Sequence, residues 1–233
     1  MKSYPDRARH LVAVDCVIFG YDLIEKEIKL LLFKRIIEPA KGEWSLTGGF
    51  VEEDESLGSA ASRILRKLTG LESIYMKQSY CYGDTGRDPG DRVISIAYWA
   101  LISIRDIDPE IVENNGVNWR SLNRLPELIF DHAEMVKNAL ADLQAEVKIA
   151  PVGFELLPEK FTLVHLQDLY EAIYQRQIDR RNFRKKILSM GILEKLAEKE
   201  TVTSKKGAFY YRFNKDRIEH LKEDGFYFNL EVN

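Results

Sequence analysis

Between Gly49 and Leu71 the apolar residues follow a single helical face. Leu57, Ala60, Ala61, Ile64, Leu65 and Leu68 recur at i, i+3, i+4, i+7, i+8 and i+11, the period of an amphipathic helix and not of a strand. Gly70 supplies the stop, because glycine takes the left-handed conformation that ends helices at no steric cost. Glu55 to Leu68 is therefore expected to be a helix that must lay its stripe on another element. Candidates for that element surround it. Leu11 to Gly20 is β-rich, Ile28 to Arg35 holds Leu30, Leu31, Leu32 and Phe33 as a buried strand, and Asp91 to Ser103 reads as another strand. Asp131 opens a further helix, with its carboxylate as cap, Glu134 completing a capping box and Phe130 stapling to Met135. That helix is expected to run to about Gln144.

After Ala150-Pro151-Val152-Gly153, the best linker in the chain, the order changes to helix, helix, hairpin. Thr162 caps a helix with Leu166, Leu169, Tyr170 and Ile173 on one face, stapled by Phe161 and Leu166. The short turn Gln175 to Ile178 leads to Asp179, the cap of a second helix stapled by Ile178 and Phe183 and stopped by Gly191. In that helix Phe183, Ile187 and Leu188 are assigned to the core. Ile192 to Leu196 and Ala208 to Phe213 read as two strands joined by the polar tip Thr203-Ser204-Lys205-Lys206-Gly207. Two domains follow, residues 1–150 and 151–233.

Charge separates along the same division. The whole chain of 233 residues carries −3. From Arg176 to Arg212, however, eleven Lys and Arg face four Asp and Glu, a surplus of +7 that leaves −10 on the remainder. The second helix presents Arg180, Arg181, Asn182, Arg184, Lys185 and Lys186. Arg and Asn are the side chains able to make paired hydrogen bonds with guanine and adenine edges. Helix, turn, basic helix and a hairpin tipped by Lys205 and Lys206 match a winged helix-turn-helix, in which the second helix enters the major groove and the hairpin meets phosphate or minor groove. A solvated basic face is the plainer reading of a charge run, and the order of elements is what argues against it. RNA binding is the other alternative, with Tyr210 and Tyr211 as stacking residues and no aromatic pair placed on a sheet.

Gly49, Glu55, Arg63, Gly70 and Leu71 fit the spacing of the Nudix box, and Gly42-Glu43-Trp44-Ser45-Leu46-Thr47-Gly48-Gly49-Phe50 resembles the segment leading into it, with Thr47 where the family usually carries Pro. Nudix hydrolases hold divalent cations on box glutamates that follow the Arg. Here those positions are Ile64, Lys67 and Leu68. Hard cations need oxygen ligands, so a hydrolase is not expected. The acids Glu52, Glu53, Asp54 and Glu55 are read as a solvated loop favouring a helix N-terminus, with a remnant metal site as the alternative. No metal and no cofactor is expected.

The two halves together resemble the Nudix-related transcriptional regulators, a bacterial family with an N-terminal Nudix-like domain and a C-terminal winged helix. Beyond the box the likeness rests on Asp88 to Tyr98, Leu128 to His132, Leu156 to Leu163, Leu169 to Ile173 and Asp179 to Lys185. The resemblance looks closest to the sugar-responsive branch, the arabinose regulators of Bacteroidetes. It implies an α+β chain: a Nudix-like α/β/α sandwich followed by a winged helix-turn-helix. It further implies a homodimer on a palindromic operator in double-stranded DNA, released or recruited by a small molecule in the Nudix pocket. L-Arabinose or a related sugar is the expected effector and repression of sugar-utilisation genes the expected function. A regulator of NAD metabolism sensing ADP-ribose, or an active hydrolase of ADP-ribose or a nucleoside diphosphate sugar, is the alternative.

Five residues are candidates for the effector pocket. Asp15 interrupts an apolar strand and either accepts ligand hydroxyls or is a satisfied polar core residue. Arg35 and Arg92 either hold a phosphate or polyol or form ordinary ion pairs. Trp44 either stacks on a sugar face or packs. Asp131 is foremost a helix cap, and His132 beside it is read as a first-turn helix residue. Two cysteines, Cys16 and Cys81, are too few for a disulfide framework. The longest nearly apolar run, Val93 to Ile104 with two serines inside, is too short for a bilayer. A soluble, cytoplasmic protein without a membrane partner is expected.

Overall fold

The computed structural model describes residues 7–71, 74–150, 155–201 and 207–223. The elements run β1 (Leu11–Asp22), β2 (Glu27–Lys34), β3 (Trp44–Phe50), α1 (Leu57–Thr69), β4 (Met76–Tyr82), β5 (Val93–Ser103), α2 (Pro109–Asn114), β6 (Val117–Ser121) and α3 (His132–Ile149). They continue with β7 (Phe161–Thr162), α4 (Leu163–Tyr174), α5 (Arg180–Ser189), β8 (Leu193–Glu200), β9 (Ala208–Phe213) and α6 (Lys215–Glu223). Two compact units result. The first takes the residues up to Phe19, Leu30–Leu101 and Ile107–Ala139; the second takes Gly20–Lys29, Ile102–Asp106 and the residues from Leu140 on. Among the described residues no helix is long and apolar enough to cross a membrane.

Strand order in the six-stranded sheet is β4-β5-β1-β3-β2-β6. β1 and β3 pair antiparallel with Asp15 opposite Gly48 and Cys16 opposite Thr47. Successive side chains on a strand point to opposite faces, and β1 uses both. The Cys16 thiol points at the Ala61 carbonyl of α1, whereas Asp15 points at His132, the first residue of α3. Helices therefore cover both faces of this sheet, as the family resemblance implies.

The α1 stripe is buried at Ala60, Ala61, Ile64 and Leu65. Its start lies slightly later than expected. Ser56 is the cap, accepting the Ser59 amide at 3.2 Å, and Glu55 stays outside the helix. Gly70 ends it at φ +73°, where an added Cβ would lie 2.6 Å from Ile111 Cδ1. α3 continues to Ile149, past the expected end at Gln144, and buries Met135, Val136, Ala139, Leu143 and Val147. Trp44 to Phe50, read from sequence only as a lead into the box, is β3, one of the two middle strands.

In the second unit β7, β9 and β8 form a three-stranded sheet. Thr162 caps α4 in a reciprocal box with His165, and Phe161, Leu166, Leu169, Tyr170 and Ile173 are buried. Glu171 holds the turn between α4 and α5, accepting the Ile178 amide at 3.0 Å and Gln167 Nε2 at 2.8 Å. Asp179 then caps α5, accepting the Asn182 amide at 2.7 Å. Phe183 packs on Tyr170 with ring centroids 5.7 Å apart. β8 runs from Leu193 to Glu200, longer than the expected strand over Ile192 to Leu196, and pairs along β9 with a register shift between Lys195 and Lys199. The linker residues 151–153 and the hairpin tip at 203–206, with Lys205 and Lys206, lie outside the described residues.

Candidate functional site

The first unit gathers a buried cluster of charge from five separate segments. Asp15 on β1 is 9% exposed. Its carboxylate fits because Gly48 stands opposite: a Cβ there would collide with Asp15 Oδ1 and lie 2.7 Å from the Val14 carbonyl. Ser95 Oγ on β5 donates to Asp15 Oδ2 at 2.6 Å. On the loop between β4 and β5, Arg87 donates through Nε and Nη2 to the two oxygens of Asp131, both at 2.7 Å. Arg87 Nη2 also lies 3.8 Å from Asp15 Oδ2. Two carboxylates thus share one guanidinium whose side chain is only 4% exposed. Burial opposes the charge of Arg87, but hydrogen bonds to Asp131 and the fields of Asp131, Asp15 and Asp88 outweigh it and raise its pKa above the ordinary arginine value.

His132 closes the cluster. Its Nδ1 accepts the Leu46 amide at 3.1 Å, which assigns the ring proton to Nε2, 3.8 Å from Asp15 Oδ1. Burial pushes the imidazole pKa below its usual value, with Arg87 and Arg35 adding to the effect and Asp15 and Asp131 opposing it. The neutral ring is thus an ordered part of the core.

Above the Arg87–Asp131 pair lies a cavity of about 660 Å³, lined among others by Tyr80, Tyr82, Arg87, Phe130, Asp131 and Asn138. Cavities of several hundred Å³ hold cofactor-sized ligands. Phe130 is held at φ +51°, a backbone conformation that non-glycine residues rarely adopt. Asn138 Nδ2 donates to Tyr82 Oη at 2.9 Å. The lining thus brings the aromatic residues Tyr80, Tyr82 and Phe130 together with the Arg87–Asp131 pair.

The five expected pocket residues separate into two groups. Asp15 and Asp131 meet through Arg87, Asp131 on the cavity wall and Asp15 behind it. Asp131 corrects the sequence reading in one respect: its carboxylate is engaged with Arg87, and its carbonyl receives the Glu134 and Met135 amides. The other three lie elsewhere. Arg35 sits 5.5 Å from the Phe130 ring centroid and donates to the Ile37 carbonyl. Trp44 has Arg120 at 4.6 Å and Lys34 at 5.4 Å over its ring, so cations occupy the surface offered for stacking. Arg92 braces its own loop by donating to the Asp84 carbonyl at 3.1 Å. Sequence reasoning missed Arg87 altogether. It stands in Gly83-Asp84-Thr85-Gly86-Arg87-Asp88-Pro89-Gly90, a run of turn residues that reads as a mere connector.

The Nudix-box helix does not suit a divalent cation. Ile64 is buried with its Cδ1 toward Gly49, 3.3 Å from where a Cβ would stand. Lys67 is exposed and Leu68 half-buried. Glu55 is committed to Arg63, which also donates to the Phe50 carbonyl at 3.1 Å, and to the Glu52 amide at 2.9 Å. Among the described residues no cluster of His, Cys, Asp or Glu is arranged to hold a metal.

In the second unit α5 shows the expected basic face. Arg180, Arg181, Asn182, Arg184 and Lys185 are exposed and Lys186 is half-buried, with Phe183 and Ile187 inward. Leu188 corrects the sequence reading: it is 43% exposed, because it stands 100° round the helix from Ile187. On the hairpin, Lys195 and Lys199 lie 3.6 and 4.6 Å from the Phe209 ring centroid, while Arg212 is tied to Glu194 at 2.7 Å.

Comparison with known proteins agrees with both halves. The NUDIX domain family matches residues 9–139, and the NrtR DNA-binding winged helix domain matches residues 153–213. The ADPR responsive transcriptional repressor NtrR of Acinetobacter baylyi is 31% identical over 207 residues, covering 87% of this chain and 82% of that protein. An ADP-ribose pyrophosphatase of Methanocaldococcus jannaschii is 34% identical over 141 residues, 59% of this chain and 78% of that one. The crystal structure of Shewanella oneidensis NrtR complexed with a 27mer DNA superposes with a TM-score of 0.75 at 29% identity, over 89% of this chain and 95% of that one.

Proposed function

The chain belongs to the NrtR family of Nudix-domain transcriptional regulators, and from that premise we propose that it is a repressor whose Nudix unit senses ADP-ribose or a closely related nucleoside diphosphate sugar. The observation that carries this reading is the 31% identity, across both domains, to a repressor responsive to that nucleotide. The expected closeness to the arabinose-responsive branch is not supported, and the ADP-ribose alternative takes the place of the sugar reading. The cavity over Arg87 and Asp131 is the proposed effector site, with Tyr80 and Tyr82 as stacking surfaces. Asp15 acts by holding Arg87 from behind. Arg35, Trp44 and Arg92 are proposed as supports of the surrounding loops.

Repression requires the effector to distinguish two states, since a ligand shifts an equilibrium only by its difference in affinity between them. ADP-ribose is therefore proposed to favour the DNA-free arrangement of a homodimer. Its two α5 helices, with Arg180, Arg181, Asn182, Arg184, Lys185 and Lys186, read half-sites of a palindrome, while Lys205 and Lys206 meet the phosphates. Hydrolysis is not part of the proposal, because Ile64, Lys67 and Leu68 offer no oxygen to a cation.

A gel shift with the DNA upstream of the chain's own gene neighbourhood tests this reading. A specific complex at moderate salt, dissolved by ADP-ribose and unaffected by L-arabinose and other pentoses, is expected. Release by a pentose alone would restore the sugar reading. Turnover of ADP-ribose with Mg²⁺ or Mn²⁺, abolished in Glu55→Gln, would make the chain a hydrolase.

A further inference from the structure

The outward face of α5 is cationic and polar, with one large apolar residue, Leu188, exposed on it. Counted from Arg180 as the first residue, Arg181, Arg184, Lys185 and Leu188 occupy helix positions 2, 5, 6 and 9. At 100° per residue these four fall in one stripe, opposite the buried Phe183, Ile187 and Met190. A single exposed leucine ordinarily needs no explanation. This one lies at the C-terminal end of the stripe that the proposed function sends to DNA, one turn beyond Arg184 and Lys185.

Those charges decide what can cover it. A second copy of the same stripe would set like charges against each other, which costs several kcal/mol in an interface. A polyanion is attracted instead. Within the major groove the base edges present hydrogen-bonding groups and one apolar feature, the C5 methyl of thymine. Leucine has no donor or acceptor, so placing it on any other edge would strip water from a polar group without replacement. On a methyl group it gains by burial.

We propose that Leu188 is a specificity-determining residue that packs on the methyl group of one thymine in each half-site, next to the bases or phosphates held by Arg184 and Lys185. The inference rests on the reading of α5 as the DNA-reading helix and adds a base preference that hydrogen bonding cannot supply. Its position also suits the task. α5 ends one residue later, and Gly191 turns the chain away at φ +67°, so Leu188 is the last outward apolar side chain of the helix.

The test uses the full chain. The preferred duplex is first selected from a random pool. Each thymine of that duplex is then replaced singly by deoxyuridine, which deletes the methyl and leaves the pairing edge intact. At one position per half-site the wild-type chain is expected to lose affinity roughly three- to fivefold, the worth of one buried methyl group. Leu188→Ala is expected to bind the thymine and uracil forms equally there, while Leu188→Met keeps the difference. Both variants should melt with the wild type, since the side chain is exposed. A uracil effect that survives in Leu188→Ala, or no sensitive thymine in a duplex that is otherwise bound specifically, overturns the inference. Failure to select any preferred sequence overturns the DNA reading itself, and does so before a thymine is replaced.

Discussion

Arg87 and Asp131, forty-four residues apart in the chain, meet through two parallel hydrogen bonds of 2.7 Å each. The guanidinium is sealed from behind by Asp15 and lies beneath the cavity. Paired hydrogen bonds between a guanidinium and a carboxylate are among the strongest a protein makes and set orientation as well as energy. The floor of the proposed effector site is therefore held in one geometry before any ligand arrives.

Removing the arginine leaves two largely buried carboxylates without a counter-charge. Arg87→Ala is expected to destabilise the Nudix unit by about 3–5 kcal/mol, measured by urea unfolding. Pairing it with Asp131→Ala should recover part of that loss. A cost near zero for Arg87→Ala would mean that water reaches the carboxylates freely.

Neighbouring glycines on β3 should respond unequally. At Gly48 a methyl group meets Asp15 and the Val14 backbone carbonyl, neither of which can retreat. At Gly49 it meets Ile64 Cδ1 at 3.3 Å, the far end of a flexible side chain. Gly48→Ala is expected to cost about 1–3 kcal/mol by overpacking, and Gly49→Ala less. Thermal melts of the two variants give the order, and a reversed order would contradict the register of β1 on β3.

Acid should weaken the fold in a window set by two histidines. Burial lowers the pKa of both His132 and His165 below the ordinary 6.5. The unfolded chain then binds more protons than the folded one as the pH falls through that value, so stability is full above about pH 6.5 and declines below it until the buried rings protonate. Asp22 and Glu25, whose pKa values are lowered by Lys29, lose their contribution only at more acidic pH. His132→Gln, which can still accept the Leu46 amide, is expected to flatten part of the upper slope. An unchanged slope would mean that His132 is not buried neutral.

On the basic helix, Arg181→Ala or Arg184→Ala is expected to weaken specific DNA binding by roughly 1–3 kcal/mol, the worth of a lost paired contact to a base. Fluorescence anisotropy at fixed salt measures it. Asp179→Ala should instead lower stability by about 1 kcal/mol through loss of the cap on the Asn182 amide. Unchanged affinity in both arginine variants would show that another element reads the DNA.

Much of the architecture was legible because its causes are local. The stripe from Leu57 to Leu68, the stop at Gly70, the caps at Thr162 and Asp179 and the basic run after them depend on residues within a few turns of one another. Local reasoning also went wrong in local ways. The apolar side chain of Leu188 argues for the core, but its helical phase turns it outward. Asp131 had a plausible partner in its own helix, and a stronger one arrived from another segment.

The cluster beneath the cavity lay beyond such reasoning. Asp15 was conspicuous as a carboxylate in an apolar strand, but Gly48, Arg87, Ser95 and His132 come from four other segments and share no spacing. Short-range backbone and side-chain preferences suffice for the helices, their caps, the order of the two halves and the separation of charge between them. Which charge meets which is a property of the folded chain. A buried ion must find its counter-ion wherever strand register and loop closure place one, and neither is written in the neighbourhood of the residue concerned.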